Sequence, residues 1–253
     1  MADTVLITGA TGTIGRALVT AFAAKGYDVA LQFRKNEDVA DQLIEAVRMQ
    51  GRKAIAVEAD FNLQDVDSLS DVVLATTAEQ LGAPSIVVLA ASAQDVTPWE
   101  TLNAEQWDNM YANSIRATAS MIRSASHQMR NNGKSNNVIV VFGSIDGIRP
   151  NINHAPYATM KAATHHLVLA AAHELGPDGI RVVGIAPGLV YRDGLESDWP
   201  QGVAGWNAAA AIGRPLQAEE IANATVFVAS PAASGITGVT IPVDGGWSSH
   251  PGW

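Results

Sequence analysis

Residues 4 to 15 read Thr-Val-Leu-Ile-Thr-Gly-Ala-Thr-Gly-Thr-Ile-Gly, and this stretch decides how the chain is interpreted. Its first five residues are β-branched or apolar, as in a strand buried on both faces. A helical pattern begins at Ile14, directly after the glycines. A glycine-rich turn between a first strand and a first helix lets a pyrophosphate approach the backbone at the helix N-terminus. The stretch therefore predicts a dinucleotide site at Gly9, Thr11, Gly12, Thr13, Ile14 and Gly15.

The glycine spacing of three and three differs from the usual G-x-G-x-x-G fingerprint. A tight strand–helix turn without a ligand is the alternative. The strand before the turn and the helix after it favour the dinucleotide interpretation.

Beyond this stretch, short apolar runs alternate with longer helical patterns. Predicted strands cover 4–8, 28–33, 54–59, 85–90, 137–142, 180–185 and 239–243, and predicted helices cover 14–25, 37–50, 66–80, 104–130, 155–174 and 218–229. Such alternation indicates a parallel sheet with right-handed crossovers. We expect a single α/β domain over residues 1–253, a Rossmann-like, doubly wound parallel sheet of about seven strands with helices on both faces.

Residues 191–213 interrupt the alternation and are rich in glycine and tryptophan. Loops of this length are uncommon without a function, so we predict a substrate lid there. A packed surface excursion is the alternative.

The composition excludes several classes of protein. The chain has 253 residues, a net charge of −9 and no cysteine, so disulfides, thiolate metal sites and a cysteine nucleophile are excluded. An acidic chain disfavours nucleic acid as a partner. It has neither a basic N-terminal region nor an apolar run of about 20 residues, so we expect a cytoplasmic protein with no membrane partner. The low charged fraction of 16% fits either a homo-oligomer or a large interior.

The end of the second predicted strand bears on cofactor choice. It carries no acid to bind a ribose 2′-hydroxyl, and the basic residues Arg34 and Lys35 follow it. This favours NADP(H), with NAD(H) possible, because a base accepts the 2′-phosphate. A solvated basic pair without a ligand is the alternative. Asp60, after the third strand, is expected to hold the adenine with Phe61 beside it, although Asp60 also suits a cap.

Tyr157 and Lys161 share one face of a predicted helix because they are four residues apart. An ammonium beside a tyrosine favours its phenolate, which makes Tyr157 a candidate acid–base catalyst. Ser144 closes the fifth predicted strand, and ligands bind at the carboxyl ends of such strands. A Tyr–Lys pair alone is common by chance; its combination with Ser144 is more specific.

These motifs resemble those of the short-chain dehydrogenase/reductase family, in its single-domain form of about 250 residues, closest to the 3-oxoacyl-carrier-protein reductase and carbonyl reductase branch. The resemblance covers essentially the whole chain. It rests on Ser144, Tyr157 and Lys161, on Ala186-Pro187-Gly188 after the sixth strand, and on the stretches 234–238 and 243–246.

The resemblance implies that Tyr157 is the general acid or base, that Ser144 orients the substrate oxygen and that Lys161 lowers the Tyr157 pKa and holds the nicotinamide ribose. Asn113 would complete a proton relay. Further cofactor contacts would come from Ala91, Pro187, Gly188 and Val190. Family members are often tetramers, which implies a homotetramer or a dimer.

Three departures from the family pattern stand out. The second glycine of the turn has moved from position 13 to Gly12. The usual N-N-A-G after strand four reads Leu89-Ala90-Ala91-Ser92, and Arg192 replaces a threonine after the Pro-Gly turn. Pteridine reductases carry a serine where Ser92 stands, which keeps a pteridine- or imine-reducing activity open.

The sequence predicts an NADP(H)-preferring oxidoreductase that interconverts a ketone and a secondary alcohol. By position, Gln94, His154, Trp199 and Trp206 are candidates for the substrate pocket, with hydrophobic packing the alternative for either tryptophan. No metal site is expected at His165, His166 and His173, because no further ligand shows a suitable spacing. A non-catalytic dinucleotide sensor or scaffold is the rival from another class.

Overall fold

The computed structural model describes residues 3–62 and 65–249, and a seven-stranded parallel sheet runs through them. The strands are β1 (Thr4–Thr8), β2 (Asp28–Phe33), β3 (Ala54–Glu58), β4 (Ile86–Leu89), β5 (Asn137–Phe142), β6 (Ile180–Pro187) and β7 (Val239–Val243). Their order is β3-β2-β1-β4-β5-β6-β7, and every neighbouring pair is parallel. The predicted doubly wound α/β sheet is confirmed.

Helices cover both faces of the sheet. They are α1 (Thr13–Ala24), α2 (Glu37–Met49), α3 (Val66–Leu81), α4 (Ala104–Tyr111), α5 (Ala117–Met129), α6 (Ala155–Leu175), α7 (Leu195–Asp198), α8 (Pro200–Ala209) and α9 (Ala218–Ala229). Side chains alternate between faces along a strand, so Val5 and Ile7 pack with α1, α2 and α9, while Leu6 packs with α3, α5 and α6. Two apolar layers, one on each face, therefore pack against the sheet.

The strand order reverses between β1 and β4, and this is where such sheets bind ligands. The Ala91 N–H donates to Thr8 Oγ1 at 3.1 Å, which joins the two strand ends. Gly9 has φ +67°, and a Cβ on it would lie 2.7 Å from the Ala91 Cα. Glycine is therefore required at position 9 both by the backbone conformation and by the close approach of the two segments.

The predicted helix over 104–130 is divided in the structure. A capping box between Asn103 and Gln106 begins α4, and a π turn over Ala112–Arg116 separates it from α5. The segment contains neither glycine nor proline, so its composition gave no sign of the π turn. Such turns recur at functional sites, and this one carries Asn113.

The excursion over 191–213 contains α7 and α8 and is attached to the segment after β7. The Ile212 N–H donates to the Gly245 carbonyl at 3.1 Å, and the Trp206 ring stacks on Trp247 with centroids 5.8 Å apart. In the part of the chain that the structure describes, no helix has the length and apolar character needed to cross a membrane.

Candidate active site

Ser144, Tyr157 and Lys161 converge at the carboxyl end of β5. Ser144 follows that strand by two residues, and the other two side chains lie in the first two turns of α6. The Ser144 side chain lies close enough to Tyr157 to lower the pKa of its phenol. The structure thus brings together the three residues predicted to be catalytic, at the edge of the sheet where ligands bind.

Lys161 is buried, with 3% of its surface exposed, and its Nζ donates to the Phe142 carbonyl at 2.9 Å. The same atom lies 5.6 Å from the centre of the Tyr157 ring. Burial disfavours the ammonium and lowers the pKa of Lys161 to about 8. The lysine is therefore close to neutrality at mildly alkaline pH.

Tyr157 is subject to opposing influences in the ligand-free protein. Burial raises the pKa of its phenol above the ordinary value, the nearby Ser144 side chain lowers it, and the negative charge of Asp146 raises it. The net direction is upward. The sequence analysis did not single out Asp146, because a lone acid after a strand most often reads as a cap.

Asn113 lies on the π turn and lines a cavity beside the sheet. Its side-chain amide donates to the Asn109 carbonyl at 2.8 Å. Within residues 3–62 and 65–249, no direct hydrogen bond joins Asn113 to Tyr157 or Lys161. The structure places Asn113 on the cavity wall but not in contact with the serine, tyrosine and lysine.

The cavity has a volume of about 340 Å³ and lies over the carboxyl ends of β1, β2 and β4. Its wall includes eight of the residues predicted to bind cofactor: Gly9, Thr11, Gly12, Arg34, Lys35, Asp60, Phe61 and Ala91. Thr13, Ile14 and Gly15 do not line it. Gly15 packs against the turn, since a Cβ there would lie 2.2 Å from the Gly9 carbonyl oxygen, whereas at Gly12 the nearest atom would be 3.4 Å away.

The basic pair after β2 lies at the mouth of this cavity. Arg34 is 3.8 Å from Asp60, and each side chain is more than two-fifths exposed, so the pairing is weak. The Lys35 carbonyl accepts a hydrogen bond from Thr11 Oγ1 at 3.1 Å, which attaches the basic segment to the glycine turn. The Arg34 guanidinium is thus placed to meet an anion at the cavity mouth.

Gln32 is a site residue that the sequence analysis missed. Its side chain is 2% exposed, accepts from the Gly9 N–H at 3.0 Å and donates to the Ala59 carbonyl at 2.7 Å. It therefore fixes the turn against the end of β3. The available signal was an amide inside the otherwise apolar run 29–33 of β2.

Within the described part of the chain, the turn after β6 has backbone groups without a hydrogen-bond partner. The Gly188 N–H donates to the Val243 carbonyl at 3.0 Å. Val190 pairs with Leu216, but this bridge uses the Leu189 carbonyl and the Tyr191 N–H. The N–H and C=O of Val190 itself take no part in the bridge. A ligand that contacts the backbone of Val190 would need these two groups. A Cβ on Gly188 would lie 2.4 Å from the Trp206 ring, so the excursion over 191–213 packs directly on this turn.

The four substrate candidates lie in different surroundings. The His154 ring contacts the Tyr157 ring edge-on, with centroids 6.0 Å apart. Trp206 is buried with Ile145 and donates to the Arg214 carbonyl at 2.9 Å. Trp199 is half exposed and covers Gly202, while Gln94 is exposed. The structure brings only His154 of the four against a predicted catalytic side chain.

The three histidines of α6 differ in burial and in hydrogen bonding. His165 Nε2 accepts a long hydrogen bond of 3.4 Å from the Ser144 N–H. Burial, and then the charge of Lys161, lower the pKa of His165 below its ordinary value. His166 and His173 are exposed. Across the described residues, no group of three or more potential ligands is arranged to hold a metal ion.

Comparisons with known proteins agree with this geometry. A family model described as Enoyl-(Acyl carrier protein) reductase matches residues 9–248. A short-chain dehydrogenase/reductase of Hericium erinaceus, eriH, is 35% identical over 95% of this chain and 96% of its own length. The chain belongs to the short-chain dehydrogenase/reductase family. It is therefore an oxidoreductase of a family that acts on alcohols and ketones and binds NAD(P)(H).

Two further relatives illustrate the range of this family. The 3-oxoacyl-[acyl-carrier-protein] reductase FabG of Staphylococcus aureus is 28% identical over 97% of this chain and 98% of its own. A solved short-chain dehydrogenase/reductase from Serratia marcescens superposes with a TM-score of 0.88 at 28% identity, covering 97% of this chain and 98% of the other. Membership of this family fixes the class of reaction and leaves the substrate to be determined by the pocket.

Proposed function

We propose that this short-chain dehydrogenase/reductase interconverts a ketone and a secondary alcohol, with NADP(H) preferred over NAD(H) and Tyr157 as general acid and base. The observation that carries the proposal is the cluster at the end of β5. There the Ser144 side chain lies beside Tyr157 while the Lys161 ammonium lies over the tyrosine ring. Both hydroxyls are available to one carbonyl oxygen.

Each residue of the cluster has a distinct task. In reduction, Tyr157 gives its proton to the substrate oxygen, and in oxidation it removes the proton of the alcohol. Ser144 donates a hydrogen bond to the same oxygen and orients it. Lys161 supplies positive charge at the tyrosine ring, which favours the phenolate against the burial that disfavours it.

The lining of the cavity supports the binding of a dinucleotide there. The glycine turn and the N-terminus of α1 would hold the pyrophosphate, Asp60 and Phe61 the adenine, and Arg34 and Lys35 the 2′-phosphate. The free N–H and C=O of Val190 would hold the nicotinamide carboxamide, with Pro187 and Gly188 shaping the turn, and Lys161 would hold the ribose. When bound, the cofactor supplies or accepts the hydride.

Arg34 supports the preference for the 2′-phosphate. Its side chain is 45% exposed at the cavity mouth, and no acid stands at the end of β2 to repel the phosphate. Asp60 is close enough to hold the guanidinium near the cavity while leaving it able to bind an anion.

We further propose that residues 191–213 act as a substrate lid and that the enzyme is a cytoplasmic homo-oligomer, a dimer or a tetramer. Leu169 on α6, Phe227 on α9 and Val239 on β7 expose apolar surface that a second copy would cover. Sedimentation at micromolar concentration tests the assembly, and monomers alone would contradict it.

The function is tested by following NADPH and NADH consumption with a panel of ketones, for the wild type and for Tyr157→Phe. We expect the variant to lose at least about a thousand-fold in kcat while binding NADPH as tightly as the wild type, because it lacks only the proton donor. Unchanged turnover would reject the assigned chemistry. Turnover of pterins or imines with no ketone activity would favour the pteridine- or imine-reducing alternative.

A further inference from the structure

A buried polar cluster lies next to the proposed catalytic residues and has no part in the mechanism above. Asp146 is 5% exposed, and its two carboxylate oxygens accept hydrogen bonds from Asn151 Nδ2 and His154 Nδ1, each at 2.6 Å. The His154 side chain is itself mostly buried, at 12% exposure. Two short bonds to one buried carboxylate make a rigid support for the imidazole ring.

This cluster contacts the catalytic group at two points. The Asp146 N–H donates to Ser144 Oγ at 3.2 Å, and the His154 ring meets the edge of the Tyr157 ring. Yet the Asp146 carboxylate raises the pKa of Tyr157, which opposes formation of the phenolate. Apolar residues of similar volume would cost the fold less than a buried charged group. Neither stability nor ionisation of Tyr157 therefore accounts for the cluster.

The orientation of His154 is set by its surroundings. An ionised carboxylate only accepts hydrogen bonds, so the Nδ1 facing Asp146 carries a proton. Asn153, the residue before His154, has φ +65°, and its carbonyl accepts from the Thr97 N–H at 2.8 Å. This contact fixes the loop between β5 and α6 against the loop after β4. The ring is thus held in one direction before any ligand binds.

The second ring nitrogen, Nε2, is left for a ligand. Among the hydrogen bonds of the described residues, the His154 side chain makes only the one through Nδ1, and Nε2 is not among the buried unpaired atoms. A neutral imidazole would accept at Nε2, and a protonated one would donate. A hydroxyl group satisfies both states because it can donate and accept. The charge of Asp146 offsets that of a protonated His154, so the pair favours a neutral ligand group over an anion.

We propose that His154, supported by Asp146, binds a hydroxyl group of the substrate close to the reacting carbon. The ring centroids of His154 and Tyr157 are 6.0 Å apart, so a hydroxyl bound by His154 would lie within a few carbons of the reacting carbonyl. The substrates of this site are therefore hydroxyketones and the corresponding diols. This inference rests on the proposed ketone–alcohol reaction and specifies its substrate class.

The experiment compares matched ketones with and without the hydroxyl group, namely 3-hydroxy-2-butanone with 2-butanone and 2-hydroxycyclohexanone with cyclohexanone. The variants are His154→Leu, His154→Gln, Asp146→Asn and, as a control, Ile152→Ala on the exposed part of the same loop. We expect the wild type to prefer the hydroxylated ketone in kcat/KM. His154→Leu should lower that preference at least about five-fold, the scale of one hydrogen bond, because kcat/KM falls more for the hydroxyketone than for the plain ketone.

The variants separate binding from packing. His154→Gln, which keeps a hydrogen-bonding group, should restore part of the preference, Asp146→Asn should weaken it, and Ile152→Ala should leave it intact. A preference that survives in His154→Leu would overturn the proposal. A loss of kcat/KM that is equal for both ketones would assign His154 to packing and would also overturn it.

A second measurement does not depend on turnover. In the wild-type protein with cofactor bound, the NMR signals of the His154 ring should shift on addition of the hydroxyketone and not of the plain ketone. If the wild type reduced neither ketone, the proposed function would fail, and the ring signals would still decide whether His154 binds the hydroxyl. Absence of a shift at saturating hydroxyketone would reject the subsite.

Discussion

Lys161 places its ammonium 5.6 Å from the centre of the Tyr157 ring while donating a hydrogen bond to a backbone carbonyl. Holding this cation in the interior has a cost that depends on pH. Below pH 8 the ammonium is charged in both the folded and the unfolded chain, and its burial lowers the free energy of unfolding. The pKa of Lys161 falls from 10.5 to about 8 on folding, which corresponds to about 3 kcal/mol.

We expect Lys161→Met to abolish turnover and yet to raise the free energy of unfolding at pH 7. The gain should be on the order of 2 kcal/mol, because the lost hydrogen bond to Phe142 offsets part of the relief. Between pH 8 and 10.5 Lys161 is neutral in the folded wild type but still charged in the unfolded chain. The free energy of unfolding of the wild type therefore rises with pH, and its difference from Lys161→Met shrinks. Urea unfolding at pH 7 and 9.5 measures this. Lys25→Met, at an exposed lysine, is the control, and a pH-independent difference would contradict the assignment.

Arg34→Ala should weaken NADPH binding by about ten-fold or more and NADH binding by less than about three-fold, because only NADPH carries the 2′-phosphate. Parallel calorimetric titrations with both cofactors measure the two affinities. Arg48→Ala, on the exposed surface of α2, is the control and should alter neither. Equal losses for NADPH and NADH would mean that a group other than Arg34 binds the 2′-phosphate at the cavity mouth.

The two later glycines of the turn should respond differently to a methyl group. Gly15→Ala puts a Cβ 2.2 Å from the Gly9 carbonyl oxygen, so we expect a loss of about 2–4 kcal/mol in the free energy of unfolding. Gly12→Ala meets that oxygen at 3.4 Å and should unfold near the wild-type temperature, but it should bind cofactor at least about ten-fold more weakly. Thermal unfolding and calorimetry distinguish the two. Undiminished cofactor affinity in Gly12→Ala would mean that the pyrophosphate does not approach this turn.

Trp206→Phe removes the hydrogen bond to the Arg214 carbonyl and weakens the stack on Trp247. These contacts attach residues 191–213, and Trp206 packs on the Gly188 turn without lining the cavity over β1, β2 and β4. KM for the ketone should therefore rise several-fold, with a much smaller loss of NADPH affinity. Steady-state kinetics and near-UV circular dichroism follow the two effects. Trp99→Phe, at an exposed tryptophan, is the control. A fall in NADPH affinity matching the rise in KM would show that the lid is not confined to the substrate side.

The sheet was predictable because each strand is a short apolar run bounded by turn residues. Gly26, Gly51 and Gly82 all adopt positive φ after α1, α2 and α3, as their positions suggest. The π turn at 112–116 was not predictable, because an extra residue in a helical turn changes hydrogen bonding without changing the amphipathic pattern. Local sequence thus defines the elements better than their internal irregularities.

The residues of the candidate site also differ in how far the sequence predicts them. Ser144, Tyr157 and Lys161 stand at a recognisable spacing and meet in the structure. Gln32 and Asp146 do not stand at any such spacing, because their roles come from partners far along the chain or across a loop. A single amide in a strand or a single acid after one has many uses, and only tertiary contacts distinguish among them.

The attachment of the lid also bears on how the chain is synthesised. Trp206 leaves the ribosome before Trp247, the ring on which it stacks, and Ile212 leaves before the Gly245 carbonyl to which it donates. During translation the first six strands and the glycine turn are complete while residues 191–213 still lack the segment after β7 on which they pack. The nascent enzyme would therefore acquire its dinucleotide cavity first, and a cofactor bound at that stage would reach an open, unlidded site.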